Sequence, residues 1–73
     1  MKVSQLLHVM DRDDDILIQD ENLPIDQMTL YEGTVRGIKK DNPVNAMHVT
    51  CVSAIGDLIA VLVSNNKKER NKP

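Results

Sequence analysis

Residues 48–64 constrain the fold of this chain more than any other stretch. They read His48-Val49-Thr50-Cys51-Val52-Ser53-Ala54-Ile55, then Gly56-Asp57, then Leu58-Ile59-Ala60-Val61-Leu62-Val63-Ser64. Two β-rich runs around a Gly-Asp pair predict a hairpin with a two-residue loop, because both central positions tolerate positive φ. Such a loop sets the register. It places Ile55 opposite Leu58, Ser53 opposite Ala60 and Cys51 opposite Leu62. On the other face it pairs Ala54 with Ile59, Val52 with Val61 and Thr50 with Val63. The second run is apolar almost throughout, so Leu58–Val63 is expected inside the sheet. Both faces of the hairpin are largely apolar. One must meet a helix, and the other needs a cover from the loop 37–46 or from a second chain.

The residues before the hairpin suggest what else joins it. Ser4 suits an N-cap, and Leu6, Leu7 and Met10 follow at helical spacing. The expectation is a short helix over about residues 4–11, with Val3 just ahead of the cap as a staple. A helix so short gains its stability by laying that stripe on a sheet. His8 falls beside the stripe and is expected at the surface. Asp11-Arg12-Asp13-Asp14-Asp15 ends the helix, since Asp competes for local backbone N–H groups. Ile16 to Asp20 reads as a strand, and Asn22-Leu23-Pro24 as a loop. Residues 27–38 read as β, with Gly33 either the bend of a hairpin or a bulge in one longer strand. Residues 37–43 read as a surface loop.

The expected fold class is therefore α+β: one short N-terminal helix packed on a three- to four-stranded antiparallel sheet with a C-terminal β-hairpin. Seventy-three residues make one domain, residues 1–64. At this size one core rarely supplies more than about 3–5 kcal/mol. Cys51 is the only cysteine, so no disulfide forms within the chain. A free thiol in a strand is expected to act as a small buried hydrophobe. Tyr31 is the only aromatic residue. That removes any stacking platform for single-stranded nucleic acid and any aromatic cage, and it makes a homodimer through an apolar sheet face a natural expectation. No targeting core or long apolar run is present, which implies a cytoplasmic location and no membrane partner.

Charge is divided sharply along the chain. Through residue 64 there are five cations against ten carboxylates, a net −5. Residues 65–73 carry Lys67, Lys68, Arg70 and Lys72 against Glu69, a net +3, with no apolar residue, and are expected to be a disordered basic tail. Residues 11–32 hold eight carboxylates and one base, Arg12. An exposed acidic surface of this kind suits a basic protein surface, by steering and by complementary potential. The candidate contact residues are Asp11, Asp13, Asp14, Asp15, Asp20 and Glu21.

Patterns that would carry other chemistry are incomplete. Asp11-x-Asp13-x-Asp15 matches the first ligands of an EF-hand loop, but Ile16 stands where that loop needs Gly, and Asn22 where it needs Glu. His48-x-x-Cys51 resembles a metal pair, yet residues three apart on a regular strand point to opposite faces. Cys51, Ser4, Ser53 and Ser64 lack a nucleophile-elbow context. Gly33-x-x-x-Gly37 lacks the Lys of a phosphate loop. The chain is thus expected to be no enzyme and to hold no cofactor or metal.

The opening, Val3-Ser4-Gln5-Leu6-Leu7-x-x-Met10 and then Asp13-Asp14-Asp15-Ile16-Leu17-Ile18, resembles the start of short uncharacterised proteins of bacteriophages and mobile elements. The resemblance covers about the first twenty residues. It implies a phage or bacterial origin, an unidentified host protein as partner, and the host bacterial cytoplasm as location. It assigns no catalytic residue. The expected function is a small non-enzymatic protein-interaction module. The alternatives are a weak nucleic-acid-associated factor using Lys67, Lys68, Arg70 and Lys72, and below it a metal-dependent or cysteine enzyme.

Overall fold

A computed structural model describes residues 1–64; the expectations for residues 65–73 lie outside the described residues. The order of elements is α1 (Val3–Val9), β1 (Asp15–Asp20), β2 (Thr29–Thr34), β3 (His48–Ile55) and β4 (Leu58–Ser64). Two 3-10 turns, Val35–Gly37 and Pro43–Ala46, lie between β2 and β3. The class is α+β. The four strands form one sheet in the order β2-β1-β4-β3.

The sheet is mixed, not antiparallel. β1 pairs antiparallel with β2, and β3 with β4, but β1 and β4 are parallel. The cause is the segment 35–47. It does not turn tightly back after β2. It crosses the sheet to the opposite end and buries Val35 and Val44 on the way. β3 therefore runs in the direction of β2, and β4 in the direction of β1. The two most apolar strands end up side by side in the middle.

The core lies on one face of the sheet. Ile16 and Ile18 from β1 and Val61 and Val63 from β4 are fully buried there, with Val3, Val35 and Val44 above them. Leu6, Leu7 and Met10 of α1 pack against this cluster, as their spacing predicts. The loop 37–46 sits on this same face and does not cover the other one. Leu17, Leu58, Ala60 and Leu62 alternate with the core positions and stay partly exposed on the opposite face. Among the described residues no helix is long and apolar enough to cross a membrane.

Several local expectations shift. The N-cap of α1 is Lys2, not Ser4, and Gln5 Oε1 accepts from Lys2 N at 2.8 Å. Val3 is inside the helix and fully buried, because Val3 N also donates to Met47 O at 3.0 Å and draws the helix start to the residue just before β3. Residues 29–34 form one strand, so Gly33 is not a hairpin bend. The hairpin loop uses positive φ only at Gly56 (φ 61); Asp57 keeps a negative φ, the type II′ arrangement. The β3–β4 register holds from Ile55–Leu58 back to Cys51–Leu62. It then slips: Val63 faces Val49, not Thr50. Thr50 is the extra residue of a bulge, and its Oγ1 donates to Leu62 O at 3.1 Å. Cys51 is exposed, not buried, because β3 is an edge strand.

Candidate functional site

The acidic turn after α1 is built from its own side chains. Asp11 Oδ1 accepts from Asp13 N at 3.0 Å, and Asp11 O accepts from Asp14 N at 3.1 Å. The turn is also fastened to the 3-10 turn at Val35–Gly37. Val35 N donates to Asp14 O at 2.9 Å, and Arg36 N to Arg12 O at 3.0 Å. The Arg36 guanidinium donates to Asp13 Oδ1 as an ion pair with both side chains largely exposed. Asp11, Asp13 and Asp15 are exposed, and Asp14 is half-buried.

The six acidic candidates divide between the two ends of β1. Asp11, Asp13, Asp14 and Asp15 lie before or at its start, and Asp20 and Glu21 lie at its end. A strand of that length separates the two groups by about 16 Å. Asp20 is withdrawn from the surface: it is buried, and its Oδ1 accepts from Asn22 N at 2.9 Å. Asn22 Nδ2 in turn donates to Ser64 Oγ at 3.2 Å. Asp20 therefore shapes the loop after β1, while Glu21 remains exposed. Asp57 joins the first group. It precedes Leu58, which pairs with Asp15, so the hairpin loop stands at the same end of the sheet. Only the parallel pairing of β1 with β4 brings it there, and no local motif signals that pairing.

Beside the turn lies an open cleft of about 390 Å³ between α1 and the segment 35–45. Leu7, Val35 and Ile38 give it an apolar floor. His8, Arg12 and Lys40 stand at its rim, and among the described residues no carboxylate lines it. In a body that is acidic through residue 64, the cleft brings two cationic side chains, Arg12 and Lys40, to one place. Its chemistry suits an anionic group attached to an apolar one. The three rim residues come from three separate segments, so sequence spacing carried no sign of the cleft.

The other motifs take structural places. Ile16 is fully buried in β1, so the chain after Asp15 runs straight and does not wrap as a calcium loop would. The bulge at Thr50 resets the alternation of β3. His48 and Cys51, opposite Ser64 and Leu62, therefore share a face, contrary to the regular-strand expectation. Among the described residues no group of three His, Cys, Asp or Glu side chains is placed to hold a metal ion. The Cys51 Sγ lies 4.0 Å from Ser53 Oγ, a hydroxyl that is no general base.

No family model matches the chain, and no curated protein or solved structure matches it.

Proposed function

We propose that this chain is a small non-enzymatic interaction module whose acidic turn engages a basic surface on a protein partner. What supports the reading is a single observation. The exposed carboxylates of Asp11, Asp13 and Asp15 stand on backbone that is already locked by hydrogen bonds from Asp13, Asp14, Val35 and Arg36. A pre-ordered turn loses little further entropy on binding. Closely spaced negative charge steers a cationic partner and favours one orientation of it. Asp57 adds to the field at that end, while Asp20 acts within the loop. The likeness of the opening residues to short phage proteins makes a bacterial host protein the expected partner.

The test is a pull-down from nuclease-treated extract of the source cell. The wild type is compared with a triple variant, Asp13→Asn, Asp14→Asn and Asp15→Asn. Asp11 is spared because its Oδ1 holds the turn. Specific capture by the wild type, lost in the variant and weakened by salt, is the expected result. Equal capture by both proteins, or none by the wild type, overturns the reading.

A further inference from the structure

We propose that two copies of this chain join edge to edge through residues 51–55 of β3, antiparallel about a two-fold axis at Ser53. The two four-stranded sheets then continue into one another. This inference rests on the sheet edge alone and is independent of the acidic turn.

The two edges of the sheet are not alike. The β2 edge carries Glu32, a Gly33 with φ of 156°, and a register slip between Ile18 and Gln19. Charge, kinks and bulges of this kind keep an edge from pairing. The β3 stretch Cys51–Ile55 has no charged residue, no Pro and no Gly. Val52 and Ile55 there are 49% and 62% exposed. The earlier part of the same edge is already covered by the chain itself. Val49 N donates to Met1 O at 2.8 Å, and Lys2 forms a bridge with His48. That cover stops at Val49. Among the described residues nothing pairs with the outer edge of residues 51–55. Residues 65–73 contain no apolar side chain to set against Val52, Ala54 and Ile55.

Backbone direction selects the partner and the register. Ile55 and Leu58 flank a two-residue loop and so form a bonded pair. Alternation from that pair turns the N–H and C=O groups of residues 51, 53 and 55 toward β4. Those of Val52 and Ala54 point to the open edge. Val49, beyond the bulge, also points outward, as its bond to Met1 requires. The outward pair is symmetric about Ser53. When Val52 of one copy faces Ala54 of the other, both outward pairs exchange two N–H···O bonds each, and Ser53 faces its own copy. A shift that centres the axis on Val52 or on Ala54 leaves one such pair. Centring on Val52 also drives Ile55 onto Val49 of the other copy, a position Met1 already fills. The open stretch therefore fits its own copy in one register. No carboxylate lies on β3 to oppose the approach, although the body is acidic.

The test uses the full chain. Ser53 faces Ser53 across a non-bonded pair with Cα atoms about 4.5 Å apart, within disulfide range. The two Cys51 residues sit four positions apart, about 13 Å, beyond that range. In a glutathione redox buffer, the variant with Cys51→Ser and Ser53→Cys is expected to form a covalent dimer, and the wild type is not. Sedimentation equilibrium is expected to show a concentration-dependent dimer for the wild type. Ala54→Pro removes an outward N–H, and Ser53→Lys opposes two ammonium groups. Both variants are expected to be monomeric, with thermal unfolding close to that of the wild type. A monomeric wild type overturns the proposal. So does a wild type that cross-links through Cys51 as readily as the double variant does through its introduced thiol. Self-association that survives both Ala54→Pro and Ser53→Lys overturns it as well.

Discussion

Ile18 and Val61 are direct neighbours on parallel strands, and neither exposes any surface. Removing most of an Ile side chain at such a place costs about 2–5 kcal/mol, while Ile to Val costs about 0.5–1.5 kcal/mol. A domain of this size has about 3–5 kcal/mol in hand. Ile18→Ala is therefore expected to leave much of the protein unfolded in water, and Ile18→Val to leave it folded with a lower urea midpoint. A loss below about 1 kcal/mol for Ile18→Ala would mean that this pair is not the centre of the core.

Tyr31 sets the tolerance of two glycines. Its hydroxyl donates to Thr34 O at 2.7 Å. A Cβ on Gly33 would come within 2.9 Å of the Tyr31 hydroxyl oxygen, and one on Gly37 would also press on that hydroxyl. Gly56, by contrast, has open space around it and a φ of +61°. Gly56→Ala should cost about 1 kcal/mol, from backbone strain alone. Gly37→Ala should cost about the same by displacing the Tyr31 hydroxyl and its hydrogen bond. In a Tyr31→Phe background the Gly37→Ala cost should fall and the Gly56→Ala cost should not. A double-mutant cycle in urea reads the difference.

Arg36 and Asp13 form an ion pair with side chains 57% and 75% exposed. Pairs so open to water contribute about 0–1 kcal/mol. Arg36→Ala should lower stability by no more than that, and the effect should shrink in high salt. The turn itself keeps its shape through Val35 N to Asp14 O and the Asp11 cap. Amide exchange at Val35 should stay as slow in the variant as in the wild type. Faster exchange there would show that the ion pair orders the turn.

Cys51 is exposed on the native surface. At dilutions where the chain is monomeric, a thiol reagent should label the folded protein completely, at a rate close to that in denaturant. Protection by more than about tenfold would place the thiol in a closed environment.

Local geometry is what the amino-acid sequence states most clearly. A two-residue loop dictates register outward from itself, so the pairing from Ile55–Leu58 to Cys51–Leu62 was legible. It failed at Thr50, where a bulge leaves no residue signature. The α1 stripe was legible from spacing alone. Val3 was not, since its burial depends on a bond to Met47, far along the chain. The parallel pairing of β1 and β4 was hidden for the same reason. It follows from the path of residues 35–47, and a polar-looking loop conceals that Val35 and Val44 are core residues. The edge position of β3 then followed, and with it the exposure of Cys51. At the candidate site, the acidic turn was legible as a run of Asp. The split of Asp20 and Glu21 from that run needed the strand between them, and the cleft rimmed by His8, Arg12 and Lys40 needed the whole fold.

The parallel contact between β1 and β4 also decides when this protein can fold. As the chain leaves the ribosome, the β1–β2 hairpin emerges long before the strand that completes it. Ile16 and Ile18 then have no inner neighbour until residues 59–63 are out. A two-stranded hairpin is marginal at best by itself. Structure is thus gained in one late step, after the long loop between β1 and β4 closes, and not strand by strand during synthesis. Until then the nascent chain leaves the apolar side chains of β1 open to chaperones and proteases.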